Sequence, residues 1–177
     1  MSRIVTLPRG AAIAALALLA GCEGNIDFSV TKRFTADSAG SPATYSTVQS
    51  VDLATEATDA WDKRDKVKGI TLASIEGTII SVNSGTLGTT GGGSLYLRPD
   101  GATGTSSDVL IGTWSNQPIT PTTTLTVTLN PASMQIINDA LGGSGKFSVV
   151  MSGSTAAAVN FTADITLNLK LEYKIIG

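Results

Sequence analysis

The chain has 177 residues, a length that suits a single domain, with 42% hydrophobic residues and only 15% charged ones. It carries a formal net charge of −2, no histidine and one cysteine. That excludes a basic stripe for nucleic acid, a histidine general base or metal ligand, an intrachain disulfide and a cysteine zinc site. Threonine (24), serine (18) and glycine (19) fill the polar remainder, a composition that suits an exported all-β protein better than a helical bundle.

At the N-terminus, Arg3 and Arg9 precede the uniformly apolar run 11–20, AAIAALALLA. This run is half the ~20 residues needed to span a bilayer, so it reads as a secretory signal rather than a transmembrane helix. It ends in Leu19-Ala20-Gly21-Cys22. These residues resemble the lipobox of bacterial lipoproteins: Leu, two small residues, then Cys. The resemblance covers residues 1–22. It implies that the Cys22 thiol receives a diacylglyceryl group, that the chain is cut between Gly21 and Cys22, and that the new amine is acylated. The implied organisation is a signal peptide over 1–21, a lipidated cysteine and short tether over 22–25, and one domain over 26–177. The implied partner is the membrane, reached through the lipid on Cys22. The implied location is the cell envelope. Glu23, where Asp would favour inner-membrane retention, points to the outer membrane. Loss of Arg3 and Arg9 leaves 10 cations against 14 acids, a mature charge of −4.

In chain order, Ile26 to Thr35 alternates apolar and polar residues and predicts a half-buried strand. Residues 37–42 (DSAGSP) predict a turn, and Tyr45 to Leu53 a second strand. Residues 54–67 change character. Leu53, Ala57, Ala60 and Trp61 share one helical face, and Asp59–Lys63 and Asp62–Lys66 are favourably ordered pairs four apart. A short helix is expected there, stopped near Gly69. Ile70 to Asn83 reads as a strand whose apolar parity switches twice. This suggests a bulge or a crossing between sheets, with Gly77 as the place that allows it. Ser84 to Gly93 (SGTLGTTGGG) reads as a loop, Leu95 to Leu97 as a short strand, and Pro99 to Ser107 as another loop. Val109 to Trp114 predicts a buried strand, Asn116-Gln117-Pro118 a turn, and Thr122 to Leu129 a clean strand. Asn130 as N-cap and Pro131 at the first helical position predict a second helix. Its face is Met134, Ile137 and Leu141, and Gly142 closes it. Phe147 to Met151 predicts a strand, with a loop or turn beginning at Gly153 and Ser154.

The strongest pattern is C-terminal. From Val159 to Ile175 every odd position is apolar, and from Asn160 to Lys174 every even one is polar. At ~3.3 Å per residue this stretch exceeds 50 Å, so it is expected to bend or serve two sheets. About eight strands and two short helices predict an all-β fold, an antiparallel β-sandwich of immunoglobulin-like or Greek-key order.

No chemical motif stands in its proper context. Ser29-Val30-Thr31-Lys32 matches S-x-x-K, but a strand points Ser29 and Lys32 to opposite faces. Gly145-Lys146 would close a phosphate loop, but Ala140 stands where its first glycine belongs and Phe147 where Ser/Thr belongs. The oxygen-rich loop Asp100 to Asp108 lacks EF-hand spacing and reads as a solvated turn. Trp61, Trp114 and Tyr96 are weighed as a sugar-stacking platform and assigned to core packing. The expectation is a membrane-anchored envelope lipoprotein presenting a non-enzymatic sandwich for binding or structure. It has no cofactor or metal, no catalytic residue, no nucleic-acid partner and an open place for a protein or glycan. The alternatives are a periplasmic carrier of a hydrophobic ligand held by the apolar face of 159–175, and a carboxylate-dependent glycan-active enzyme.

Overall fold

The computed structural model of the chain describes residues 23–130 and 134–175. The C-terminal alternation forms one strand, β9 (Val159–Lys174). Its odd side chains from Val159 to Leu171 are each at most 2% exposed. The strand neither bends into a second sheet nor divides. β1 (Glu23–Ser38) pairs antiparallel with its whole length, from Glu23 opposite Lys174 to Ser38 opposite Val159. Residues 23–25, expected as a tether, are therefore part of β1.

On the other side of β9 lies β3 (Val67–Gly85), 19 residues against 16. The surplus is taken up by register slips, two of them between Leu72 and Ser74 and between Ile79 and Ser81. These slips produce the parity switches read in the sequence. The second pushes Ile80 outward to 41% exposure. Gly77 is not a bulge but a close approach. A Cβ there would lie 3.0 Å from the Leu125 Cβ and 3.1 Å from the Ile165 Cδ1. Gly69, expected to stop a helix, lies inside β3.

The first sheet has the order β1-β9-β3-β6, with β6 only Thr124–Leu125. The second has the order β2-β8-β4-β5-β7, from β2 (Ala43–Asp52), β8 (Lys146–Thr155), β4 (Thr90–Pro99), β5 (Val109–Pro118) and β7 (Thr128–Leu129). Every pairing is antiparallel. The apolar faces meet in one core that includes Phe34, Ile79, Leu95, Leu97, Phe147 and Phe161. The fold is an all-β sandwich. β1 with β9, β2 with β8, β3 with β6 and β4 with β5 form a ribbon of pairs folded back at the β4–β5 hairpin. That is Greek-key wrapping in the jelly-roll order, not the immunoglobulin order.

The two sheets differ in strand length, and this difference accounts for the helices. The main strands of the second sheet have 10 residues and those of the first have 16 or 19. The second sheet ends where Asp52 meets Lys146, whereas β1 starts well beyond it. The overhanging inner face, with Val30, Ile70, Leu169 and Leu171, needs another cover. It receives α1 (Leu53–Glu56), α2 (Thr58–Trp61), a 3-10 turn (Arg64–Lys66) and α3 (Gln135–Gly142).

The single helix expected over 54–67 is broken at Ala57, whose φ −143°, ψ 55° is not helical. Its apolar face survives the break: Leu53, Ala57 and Ala60 are buried. Neither expected acid–base pair, Asp59–Lys63 or Asp62–Lys66, forms, and Lys63 instead sits over the Tyr173 ring at 5.8 Å. α1 is capped by Asp52, whose carboxylate accepts from the Ala54 N–H while its own N–H donates to Glu56. α3 starts at Gln135, with Met134 rather than Asn130 before it, and Pro131 lies outside the described residues. Its Met134, Ile137 and Leu141 are buried as the sequence predicts.

Candidate functional site

One cross-strand row explains the glycines at 93 and 153. Tyr45 of β2 lies opposite Gly153 of β8, Gly153 opposite Gly93 of β4, and Gly93 opposite Trp114 of β5. Two large aromatics close over two residues without side chains. A Cβ on Gly93 would lie 2.6 Å from the Tyr45 hydroxyl and 2.8 Å from the Trp114 Cη2. The Tyr45 hydroxyl donates to the Gly92 carbonyl at 3.1 Å, and Phe161 of the facing sheet meets the Tyr45 ring edge-on at 5.4 Å. Gly91–Gly93 and Gly153–Ser154, expected in loops, are therefore strand residues, and Gly93 and Gly153 among them lie under the aromatic rings. Asn116-Gln117-Pro118 likewise continues β5 instead of turning. The row also disperses the aromatic platform. Trp114 is 5% exposed in the core, Tyr96 alternates with buried Leu95 and Leu97 on the outer face, and Trp61 packs with the helices.

The segment expected as one strand from Thr122 to Leu129 divides instead. Thr124–Leu125 joins the first sheet and Thr128–Leu129 the second. Between them the Gln117 side chain supplies the missing ladder. It donates to the Thr126 carbonyl at 2.9 Å and accepts from the Thr126 N–H at 2.8 Å.

This crossing creates a groove of about 530 Å³ on the edge of the sandwich. Thr113, Ser115, Gln117, Thr124, Thr126 and Thr128 line it, together with Trp114, Pro118 and Thr123. A second hollow of about 320 Å³, lined by Thr90, Gly91, Gly92, Asn116, Ser154, Thr155 and Ala156, lies nearby and shares β5. Neither is lined by a charged residue. Among the described residues, the hydroxyls of Thr113, Ser115, Thr124, Thr126 and Thr128 have no hydrogen-bonding partner in the protein.

The contrast with the outer face of the first sheet is informative. There the Thr31 and Thr166 hydroxyls bond each other at 2.8 Å, and Asn83 donates to Asn160 at 2.7 Å. Arg33 binds Asp164 through two hydrogen bonds of 2.7 Å, which hold that carboxyl below its ordinary range. The groove's hydroxyls are open to an external partner and the sheet's are largely used internally. Chemically the groove can exchange neutral hydrogen bonds with a polar ligand. Its lining contains no acid, base or nucleophilic thiol. The Thr-x-Thr-x-Thr run at 124–128 was the sequence signal for it, hidden because the run reads equally well as an ordinary strand.

The sequence-level motifs fall apart in three dimensions. Ser29 is exposed, while Lys32 faces the other way and pairs with Glu56 at 2.6 Å. Gly145 occupies a tight turn with φ +78°, where a Cβ would meet the Trp61 ring at 2.9 Å, so its glycine serves packing rather than phosphate. Asp108 is held by Arg98 through bonds of 2.6 and 2.7 Å, and Asp100 accepts from Ser144. The 100–108 loop is thus closed by its own ion pair, with the Asp108 side chain only 4% exposed. Removing one partner of a pair this buried leaves the other charge stranded. Asp108→Ala should cost about 2–4 kcal/mol in urea denaturation. A loss under about 0.5 kcal/mol would mean that the guanidinium simply finds water.

The apolar face of β9, weighed as a ligand cavity, is filled core from Val159 to Leu171. Cys22 and Gly21 lie outside the described residues. No protein-family profile matches the chain, and no curated protein matches it. Among solved structures, a chain of Desmodium yellow mottle tymovirus is similar over 100% of this chain and 98% of its own. The identity is 14% and the TM-score 0.24.

Proposed function

We propose that this chain is a lipid-anchored protein of the bacterial cell envelope. Cys22 carries the diacylglyceryl group and, after cleavage behind Gly21, an acylated amine. The sandwich is a non-enzymatic module that binds or supports other envelope components from that anchor. The lipobox residues Leu19 to Cys22 are the first support. The observation that carries the reading furthest is the setting of that motif, a basic start with Arg3 and Arg9 and then the apolar run 11–20 that ends directly at Leu19-Ala20-Gly21-Cys22.

Each buried methylene contributes ~0.8 kcal/mol and one chain holds only weakly, so two or three chains on Cys22 make the attachment stable. Glu23 in place of Asp favours the outer membrane. The uncharged groove between β5 and residues 123–128, with five hydroxyls free, is the surface we assign to binding. It suits a neutral polar ligand, because a charged one would be desolvated there without a counter-charge.

Cys22→Ala tests the anchor. The variant should keep its signal peptide or be released in soluble form, and its intact mass should lack the acyl groups that the wild type carries. If the wild type shows no acyl mass, or the variant stays fully with the membranes, the anchor reading fails.

A further inference from the structure

The anchor and the fold together orient the molecule. We propose that one end of the first sheet, where β1 begins, β9 ends and β3 begins, lies in the phospholipid headgroup layer of the membrane that holds Cys22. This rests on the lipid anchor proposed above.

The argument is one of length. Consecutive Cα atoms are about 3.8 Å apart, and the headgroup layer adds roughly 5–8 Å to each side of the hydrocarbon core. Glu23 follows the lipidated residue directly and is already locked in the ladder opposite Lys174. There is no free tether to lift the domain away. Whatever stands beside Glu23 therefore stands at headgroup depth.

What stands there is suited to it. Lys68 bonds Glu23, and Tyr173 pairs with both Gly24 and Val67. Lys63 lies over the Tyr173 ring at 5.8 Å. Ile175, just past the end of β9, is 47% exposed. Lysines on long stems and a tyrosine with an apolar body are the side chains that tolerate the boundary between acyl chains and water. Glu23 and Glu172 offset these cations, so the contact is imposed by the short attachment and not by net charge. It should persist on uncharged phosphatidylcholine and in high salt. The other end is far away. Sixteen residues at ~3.3 Å put it about 50 Å along β9, where the loops 39–42, 86–89 and 119–123 carry no charged residue.

The experiment uses the full mature protein, purified with its anchor and reconstituted in phosphatidylcholine vesicles that contain a headgroup nitroxide lipid. Cys22 is the single cysteine of the chain and its sulfur is consumed by the lipid, so an introduced thiol is unique. Ile175→Cys marks the near end and Leu87→Cys, at a site 65% exposed, the far end. Each is labelled with the same fluorophore. The label at 175 should be quenched at least about threefold more than that at 87. A ten-residue flexible segment beginning with Glu, inserted between Cys22 and Glu23, should bring the two to the same level. Equal quenching in the protein without the insertion overturns the inference. So does quenching at 175 that the insertion leaves unchanged. Intact mass on the same sample separates the two readings: a missing acyl mass defeats the anchor itself, and with it this orientation.

Discussion

Gly153→Val should be among the most damaging single substitutions in the chain, with a loss of about 3 kcal/mol or more and a melting temperature lower by roughly 6–12 °C. A Cβ at residue 153 would collide with the carbonyl oxygen of Gly92 and come within 2.6 Å of the Gly93 Cα and of the Tyr45 hydroxyl. Two of these atoms are backbone, held by the β8–β4 ladder, and the third belongs to a ring wedged against Phe161. None can give way without opening the second sheet. Gly142→Ala is the control, since a Cβ at that helix end meets nothing within 4 Å. It should be neutral or slightly stabilising, by about 0.5 kcal/mol. Thermal and urea denaturation followed by circular dichroism reads both. A Gly153→Val protein that melts within about 2 °C of the wild type would mean that the aromatic row is loosely packed.

The same row shows where reading the sequence succeeds and where it stops. The alternation of β9 was legible because one sheet face is buried and the other wet, which a period of two records directly. The face of α3 was legible for the corresponding reason. Gly93 was not, because a glycine needed for a turn and a glycine needed under an aromatic ring look alike in one dimension. The tyrosine that requires Gly153 is more than 100 positions away. The break of the 54–67 helix at Ala57 was also invisible. It follows from the two sheets' unequal lengths, which shape the overhang those residues must cover. The groove suffered the same loss. Its hydroxyls become a group only when residues 124–128 cross between sheets, and Gln117, which holds the crossing open, reads in sequence as part of a turn.

Tyr45→Phe should reverse its effect with pH. The phenol is 6% exposed, and burial drives its pKa well above the ordinary 10. In the unfolded chain the same group ionises near pH 10. Below that pH it is protonated in both states, and the hydroxyl's bond to the Gly92 carbonyl stabilises the fold. Above it the unfolded chain releases a proton that the folded protein retains, so stability falls as pH rises. One such group costs about 1.4 kcal/mol per pH unit between its two pKa values. Tyr45→Phe removes both effects. At pH 7 it should be less stable by about 1 kcal/mol, the usual worth of a buried hydrogen bond, with the ring still packed on Phe161. By pH 12 the wild type should have lost roughly 2–3 kcal/mol through this one phenol, so the variant should be the more stable protein by about 1 kcal/mol or more. The curves should cross between roughly pH 10 and 11. Only the difference between the two proteins is needed, because the lysines and the other tyrosines titrate in both. Parallel curves from pH 7 to 12 would show that Tyr45 reaches solvent in the folded protein, and that the aromatic row is open at the β2 edge.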